Sequence, residues 1–361
     1  MAEEKVLIAM SGGVDSSVAA YLMCSKGYHC IGATMRLFDN AILGDSGEST
    51  CCSLEDVEDA RSVAHRLGIP YYVFNFSGAF REKVIEKFIC SYECGATPNP
   101  CIDCNRHLKF AHLLQRAEIL GCDYVVTGHY ARILRDEASG RYLLYKAVDK
   151  SKDQSYVLYS LTQQQLAHTK LPLGEMSKEQ VRQLAEDTGF VNARKRDSQD
   201  ICLVPDGDYV ALMERYTGKT FPEGDFLDLQ GNVVGHHRGA ACYTRGQRKG
   251  LGLAMGEPVY VCSKDMAANT VTVGPNEALF SRILRANDWN WFPFPTLEAP
   301  MPVLAKVRYR HKEQPAIVYP EANGYARVEF EEPQRAITTG QAVVLYHGDQ
   351  VIGGGTITEV L

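Results

Sequence analysis

The stretch Ala9-Met10-Ser11-Gly12-Gly13-Val14-Asp15-Ser16-Ser17 constrains this chain more than any other. The apolar run Val6-Leu7-Ile8 precedes it, and Val14, Val18, Tyr21 and Leu22 follow at helical spacing. That order reads as strand, glycine turn and helix start. Two glycines let the backbone approach a ligand closely and adopt positive φ. The helix start beyond them offers unpaired N–H groups and the positive end of the macrodipole. Ser11, Ser16 and Ser17 add hydroxyl donors. The arrangement predicts an anion site, with phosphate the usual anion. The plainer alternative is a strand-to-helix turn capped by Ser or Asp. The stretch lacks the Gly-Lys-Ser/Thr ending of a P-loop and lacks the G-x-G-x-x-G fingerprint. P-loop kinases, GTPases and dinucleotide folds are thereby set aside. With no lysine in the loop, chemistry at the α-phosphate fits better than transfer of the γ-phosphate.

Around this stretch strand and helix patterns alternate. Val6–Met10, His29–Met35, Tyr71–Phe76 and Tyr124–Thr127 read as strands. A helix follows the first strand to about Lys26, and others are predicted over Leu54–Leu67, Phe80–Tyr92 and Leu108–Leu120. Alternation of this kind predicts an α/β fold with a doubly wound parallel sheet and ligands at the C-terminal strand ends. The ends that matter are Ser11, Met35 and Gly128-His129. Between Asp39 and Ser53, with Cys51-Cys52, lies a loop of a length that is functional or disordered in compact domains. Arg132–Leu134 and Arg141–Ala147 read as a hairpin, followed by helical patterns at Gln163–His168 and Lys178–Thr188. Near Pro205 the texture changes to short strands, glycines and prolines. Asp225–Leu229, Val259–Ser263 and Thr270–Val273 predict a small central β-rich domain over residues 205–280. Trp289–Pro302 reads as a linker or rigid crossing. Ala305–Tyr309, Ala316–Tyr319, Tyr325–Phe330, Ala342–Leu345 and Ile352–Ile357 predict a C-terminal β-barrel over 281–361. Residues 1–204 are then the catalytic α/β domain.

A length of 361 residues suits two or three such domains. Hydrophobic content of 45% with 23% charged residues predicts a packed soluble core. No apolar run approaches the ~20 residues of a membrane helix, and the acidic start Met1–Lys5 is no signal peptide. The expectation is a cytoplasmic protein with no membrane association, and a monomer by default. A net charge of −6 does not advertise nucleic-acid binding, so any RNA contact must use local basic clusters. Twelve cysteines in a reducing compartment predict thiols, most of them small core residues.

Cysteines beside Pro, Asn or Asp are the candidates for chemistry. In Thr97-Pro98-Asn99-Pro100-Cys101-Ile102-Asp103-Cys104-Asn105 two prolines fix the backbone. Cys104 is expected at the N-terminus of the Leu108 helix, where the dipole favours a thiolate and Arg106 and Lys109 push the same way. The alternative is a buried cysteine at a helix start. The polar run Arg196–Asp200 ends at Ile201-Cys202-Leu203 and alone says little. Cys90, Cys94, Cys101 and Cys104 leave a zinc site open, although Cys90 also continues an apolar helix face. His129 is either a ligand contact or an ordinary hydrogen-bonded histidine. His236-His237 reads as structural.

SGGVDS resembles the SGGxDS signature of the ATP pyrophosphatase superfamily, whose members split ATP into AMP and pyrophosphate. By that resemblance Asp15 would hold Mg2+ on the pyrophosphate. Three stretches together are more specific: SGGVDSS, TPNPC-x-x-CN with Lys109-Phe110, and SQDIC over Ser198–Cys202. In order and spacing they resemble the bacterial tRNA-specific 2-thiouridylases. Thr127–Ala131, Lys152–Tyr156, Gly239–Gly250, Val307–Arg310 and Gly340-Gln341 are similar too, so the resemblance spans nearly the whole chain.

The resemblance implies a sulfurtransferase that replaces the C2 oxygen of the wobble uridine by sulfur in the tRNAs for Lys, Glu and Gln. ATP would adenylate that oxygen. A persulfide on Cys202, loaded by a cysteine desulfurase or a sulfur-relay protein, would bring the sulfur. Cys104 would be the nucleophile that forms a disulfide with Cys202. By matched position, ATP would contact Ala9, Met10, Ser11, Gly12, Gly13, Val14, Asp15, Ser16, Met35 and Gly128. The target base would meet Asn99, Pro100 and Cys101, and the tRNA His129, Lys152, Asp153, Gln154, Tyr309, Arg310 and Gln341. One departure is Cys101, where many members carry Asp or another residue. Cys101, Cys104 and Cys202 could thus hold a [4Fe–4S] cluster with one open iron. Rival classes are an ATP pyrophosphatase ligase acting on a small molecule, a non-catalytic RNA binder, and a 2-thiocytidine or 4-thiouridine synthetase. The paired cysteines disfavour the first, the intact loop the second, and SQDIC with a trailing barrel the third.

Overall fold

The computed structural model describes residues 4–38, 53–195, 202–204 and 207–361. The predicted loop at 39–52, Pro205 and the Arg196–Ile201 part of the SQDIC stretch lie outside the described residues. The chain divides into two compact units. One comprises residues 1–85, 100–207 and 349–352, the other 86–99, 208–348 and 353–361.

The first unit is built on five parallel strands: β1 (Lys5–Ala9), β2 (His29–Arg36), β3 (Tyr71–Asn75), β4 (Tyr124–Val126) and the short Thr169–Lys170. Their order is β3-β2-β1-β4 and then Thr169–Lys170. Val6, Leu7 and Ile8 are all fully buried, because a central parallel strand is covered on both faces. One face packs on the helix Val14–Ser25 through Val18, Ala19 and Met23. Ala60, Val63 and Ala64 of the helix Leu54–Arg66 join the same core, as do Val181 and Ala185 of the helix Lys178–Asp187. Both of those helices start with a capping box, from Ser53 and from Ser177. The chain leaves β1 toward β2 on one side and reaches β4 on the other. That switch point lies between β1 and β4, and the glycine stretch follows the C-terminal end of β1 there. The predicted hairpin is present, pairing Ala131–Arg135 with Tyr142–Lys146.

Two helices differ from expectation. The one predicted from Leu108 begins at Pro100 and continues through a π-type segment, Cys104–His112, into Leu113–Ile119. Proline at the first helical position supplies the right φ and lacks only an N–H that would be unpaired anyway, so it opens this helix instead of excluding it. The Phe80–Tyr92 helix carries a π-type turn over Arg81–Glu86 before Lys87–Glu93. The extra residue in that turn rotates the helix face. Phe88, Ile89 and Tyr92 are buried and Cys90 is exposed, contrary to the apolar face predicted for it.

The second unit contains a four-stranded sheet and a closed barrel. In the sheet, Tyr260–Asp265, Thr270–Gly274, Gly224–Leu227 and Val233–His237 lie side by side over a core of Phe226, Val261 and Val271. Val210, on a helix over Tyr209–Thr217, completes that core. The strand-rich reading of this region overlooked the helix. Its signals were Asp208, whose carboxylate accepts from the N–H groups of Val210 and Ala211, and Gly218, left-handed at φ 67° at the other end. The barrel runs Phe280–Trp291, Ala326–Arg335, Gln314–Pro320, Met301–Lys306, Ala342–His347 and Gln350–Val360, and pairing of the first strand with the last closes it. Trp289–Trp291 is therefore strand rather than linker. Gly353 and Gly355 of the last strand make the close approach feasible: a Cβ on Gly353 would stand 2.4 Å from the Asn290 carbonyl. Among the described residues no helix is long and apolar enough to cross a membrane.

Within this unit Tyr92 stacks on Tyr209, ring centroids 4.2 Å apart. Burial pushes the Tyr92 hydroxyl up to about 12 and the Tyr209 hydroxyl above its ordinary value as well. A raised folded pKa contributes stability that is fully present below the unfolded value of about 10 and lost as pH rises through the folded one. The midpoint of urea unfolding should therefore fall between pH 10 and 12, and Tyr92→Phe should flatten that fall. An equally steep fall in the variant would remove Tyr92 as its source.

Candidate functional site

At the end of β1 the Met10 N–H donates to the Ala33 carbonyl, and the Thr34 hydroxyl donates to the Met10 carbonyl. The chain then turns through Gly12 at φ 75°, and Gly13 is the N-cap of the next helix with no side-chain cap of its own. A helix start without a side-chain acceptor keeps its N–H groups for a ligand. Two of the three serines are committed inside the loop. Ser16 and Ser17 are buried and their hydroxyls donate to the Gly13 carbonyl at 3.0 and 3.1 Å. Ser11 alone is exposed, with its N–H on Ser16 Oγ.

Two neighbouring backbone segments crowd this turn. A Cβ on Gly12 would lie 2.3 Å from the Asp56 carbonyl oxygen, at the start of the helix Leu54–Arg66. A Cβ on Gly128, just past β4, would lie 2.9 Å from the Asp15 carbonyl carbon and the Ser16 nitrogen. Met35, predicted beside them, is a mostly buried residue near the end of β2.

Asp15 points out of this turn with its side chain 32% exposed. Its Oδ1 accepts from the Tyr130 hydroxyl and from Lys178 Nζ, both at 2.7 Å. Asn192 closes the other side, its Nδ2 donating to the Gly12 carbonyl at 2.8 Å and to Ser17 Oγ at 2.9 Å. Lys195 bridges Asp56 and Asp59 at 2.8 and 2.6 Å. Lys178, Asn192 and Lys195 were not among the predicted site residues. Lys178 could have been noticed as a lysine at the first position of a helix, the wrong end for a cation. Asn192 and Lys195 carry no such signal.

Cys101 and Cys104 both lie on the helix opened by Pro100. Cys101 is in its first turn and half-buried, whereas Cys104 is buried and lies beyond that turn. The dipole argument thus applies to position 101 rather than 104, since the field falls off within the first turn. Asn105, also buried, donates from Nδ2 to the Val157 carbonyl at 3.1 Å. None of the ten described cysteines, Cys104 and Cys202 included, is in a disulfide. Among the described residues no three His, Cys, Asp or Glu side chains converge on a metal position. Neither the set Cys101, Cys104, Cys202 nor the set Cys90, Cys94, Cys101, Cys104 is assembled, so neither fits a cluster or a zinc ion as placed.

The predicted tRNA contacts divide by burial. His129 is buried, with its Nδ1 2.8 Å from Thr127 Oγ1 and its ring against Phe110. Burial, with the nearby Lys109 charge adding, holds its imidazole well below the ordinary value. In this conformation the ring is neutral and enclosed. The Asp153 carboxylate accepts from the N–H groups of Ala147 and Ser155 and from the Ser155 hydroxyl. Gln154 exchanges two hydrogen bonds with the Tyr130 backbone. Both hold the Lys152–Ser155 turn in place. Gln341 donates from Nε2 to the Thr97 carbonyl at 2.7 Å. Lys152 is half-exposed, and Tyr309 and Arg310 are exposed with Lys306 Nζ 5.7 Å from the Tyr309 ring.

Residues 4–206 match the family model described as tRNA methyl transferase HUP domain, 211–275 the tRNA methyl transferase PRC-barrel domain, and 281–357 the aminomethyltransferase beta-barrel domain. A relative from Clostridioides difficile, named tRNA-specific 2-thiouridylase MnmA, is 50% identical over 99% of this chain and 99% of its own. A Moorella thermoacetica protein of the same name is 52% identical over 98% of this chain and 99% of its own. The chain belongs to the tRNA-specific 2-thiouridylase family, within the ATP pyrophosphatase superfamily.

Gly12→Ala should disable the turn. It places a side chain at positive φ and against the Asp56 backbone, and each effect is costly. A loss of about 2 kcal/mol or more of unfolding free energy is expected, together with loss of ATP binding. Wild-type stability in a denaturant titration would show that the crowding is relieved by movement.

Proposed function

We propose that this chain catalyses ATP-dependent 2-thiolation of the wobble uridine of tRNA. The observation that carries the reading is the full-length similarity, about half of all residues, to proteins named for that activity. The uncapped glycine turn at the sheet switch point supports ATP as co-substrate. Methyl transfer, which the family model's label suggests, has no need of a pyrophosphate site.

In this reading ATP lies across the turn with its phosphates at the N–H groups that follow Gly13. Asp15 offers a single, partly exposed carboxylate. That fits Mg2+, which is held by one or two carboxylates with phosphate oxygens and water completing its shell. The bound ion would screen phosphate charge. The uridine C2 oxygen attacks the α-phosphorus, and pyrophosphate leaves. A carbonyl-type oxygen is a poor leaving group and AMP a good one, so this step prepares C2 for sulfur.

Cys202 carries the sulfur as a persulfide received from a desulfurase or relay protein. The Cys104 thiolate attacks Cys202 Sγ, forming the Cys104–Cys202 disulfide and expelling the outer sulfur as hydrosulfide. That sulfur attacks C2, AMP departs, and a two-electron reductant then resets the two thiols. The sulfane sulfur is reduced and the cysteine pair oxidised, so electrons balance. Asn99, Pro100 and Cys101 would frame the base. Lys152, Tyr309 and Arg310 would meet tRNA, preferentially the Lys, Glu and Gln acceptors. The protein would work as a cytoplasmic monomer.

Cys202→Ser should abolish thiolation while leaving tRNA-dependent pyrophosphate release unchanged, and Asp15→Ala should block that release. Thiolation by the Cys202 variant would remove the persulfide role; release by the Asp15 variant would remove Asp15 from adenylation. Arg310→Ala should weaken tRNA binding and reduce the slope of log affinity against log salt by about 1. An unchanged slope would take position 310 out of the footprint.

A further inference from the structure

At the other end of the first unit's sheet lies a cavity of about 400 Å³ that the proposed reaction does not use. Tyr28 immediately precedes β2 and Tyr124 opens β4, so the cavity they line stands at the N-terminal strand ends, away from the glycine turn. Met23 and Leu166, both buried, form part of its apolar wall, and Leu134 beside them is 48% exposed. Lys26 reaches it from the end of the helix Val14–Ser25, Arg132 from the hairpin, and Lys170 from the edge strand of the sheet. Tyr142 joins Tyr28 and Tyr124 in its lining.

The Lys170 ammonium is loosely held. Its Nζ lies 3.7 Å from the centre of the Tyr124 ring and 5.3 Å from that of Tyr28. Glu4 is its carboxylate partner at 3.9 Å, with a side chain 48% exposed, so the pair contributes little. The Tyr124 hydroxyl donates to the same carboxylate at 3.3 Å. The Glu4 carboxylate thus marks a position for an anion that it fills only at long range. Burial raises the Tyr124 hydroxyl, with Glu4 and then the Tyr142 and Tyr28 hydroxyls adding, so it stays a neutral donor. Arg132 is held more firmly. Its Nε donates to the Lys146 carbonyl at 2.7 Å, and its Nη atoms stand 3.4 Å from Asp349 and 3.8 Å from the exposed Glu175. An ammonium between ring faces loses part of its hydration, and an anion that meets it there gains more than at an open surface.

A phosphate by itself would leave most of this volume and its apolar wall unfilled. A phosphate carrying a flat ring fills both. We propose that the cavity binds a nucleoside monophosphate unit, with its phosphate on Lys170 and Lys26 in place of Glu4 and its base against the tyrosine rings and the Met23–Leu166 wall. A free nucleotide and one nucleotide of an RNA strand present these same groups. The site is separate from the glycine turn and stands whether or not that turn binds ATP.

The test uses 5-iodo-UMP, whose base crosslinks to adjacent aromatic rings on irradiation. The full-length protein is mixed with it below saturation, with α,β-methylene-ATP present to fill the turn. Crosslinked peptides containing Tyr28, Tyr124 or Tyr142 are expected. A tRNA transcript carrying 5-iodouridine forms the second arm. Crosslinks at these tyrosines from UMP alone assign the site to free nucleotides, and from tRNA alone to RNA. Lys170→Met keeps the apolar stem and should cut the crosslink about tenfold in whichever arm gives it. Lys26→Ala, at an exposed position, should cut it about threefold and serves if the Met variant does not fold. In the UMP arm, ribose 5-phosphate should compete about tenfold more weakly than UMP, because it lacks the base that stacks. No crosslink at these tyrosines from either ligand, a yield unchanged in both variants, or equal competition by ribose 5-phosphate would overturn the proposal.

Discussion

Close backbone packing around Gly12 and Gly128 is the constraint on which the nucleotide site depends. A strand end, a helix start and two neighbouring segments meet where no side chain fits. Glycine at both positions lets β1 and β4 deliver the turn and the Gly128 segment to one point of the sheet. The serines then stabilise the turn rather than the ligand, since Ser16 and Ser17 return their hydroxyls to the Gly13 carbonyl. What remains for an anion is backbone N–H, the exposed Ser11 and the charge balance around Asp15. A site made largely of backbone binds phosphate through geometry that side-chain substitutions elsewhere do not easily replace.

Asn192 and Lys195 tie this turn to the arm that leads to Cys202. Asn192 hydrogen-bonds the Gly12 carbonyl and Ser17, and three residues later Lys195 is clamped by Asp56 and Asp59. Asp56 is also the residue whose backbone crowds Gly12. The nucleotide turn, the start of the helix Leu54–Arg66 and the approach to the SQDIC stretch thus share one set of contacts. A ligand that shifts the turn would be felt where the Cys202 arm begins, through hydrogen bonds and ion pairs already in place.

The sequence carried most of the fold because its strongest signals are periodic. Buried parallel strands read as short apolar runs, and their alternation with amphipathic helices left little choice of topology. Errors fell where one residue type serves two roles. Pro100 fixes the backbone in the sequence reading, yet proline also opens helices, so the helix starts at Pro100 and Cys104 lies beyond its first turn. Trp289 to Trp291 was read as a linker because prolines follow, whereas the strand simply ends there. Of the site, the loop and the cysteines were legible as strings. Asn192 and Lys195 are not, because each acts on residues more than a hundred positions away and no local pattern records such a pairing, while Lys178 shows only as a lysine at the wrong end of a helix.

The Thr97 stretch shows how a predicted contact can have a different use in the protein without ligand. Thr97 donates its N–H to the Thr339 carbonyl and accepts from Gln341 Nε2, and a Cβ on Gly340 would stand 2.9 Å from the Thr97 nitrogen. Two residues on, Asn99 ends this segment and Pro100 opens the helix with Cys101 and Cys104. Pro98 and Pro100 restrict the backbone between these anchors, so the few residues joining them have little slack. Gln341 therefore acts on the segment that leads to Cys101 and Cys104.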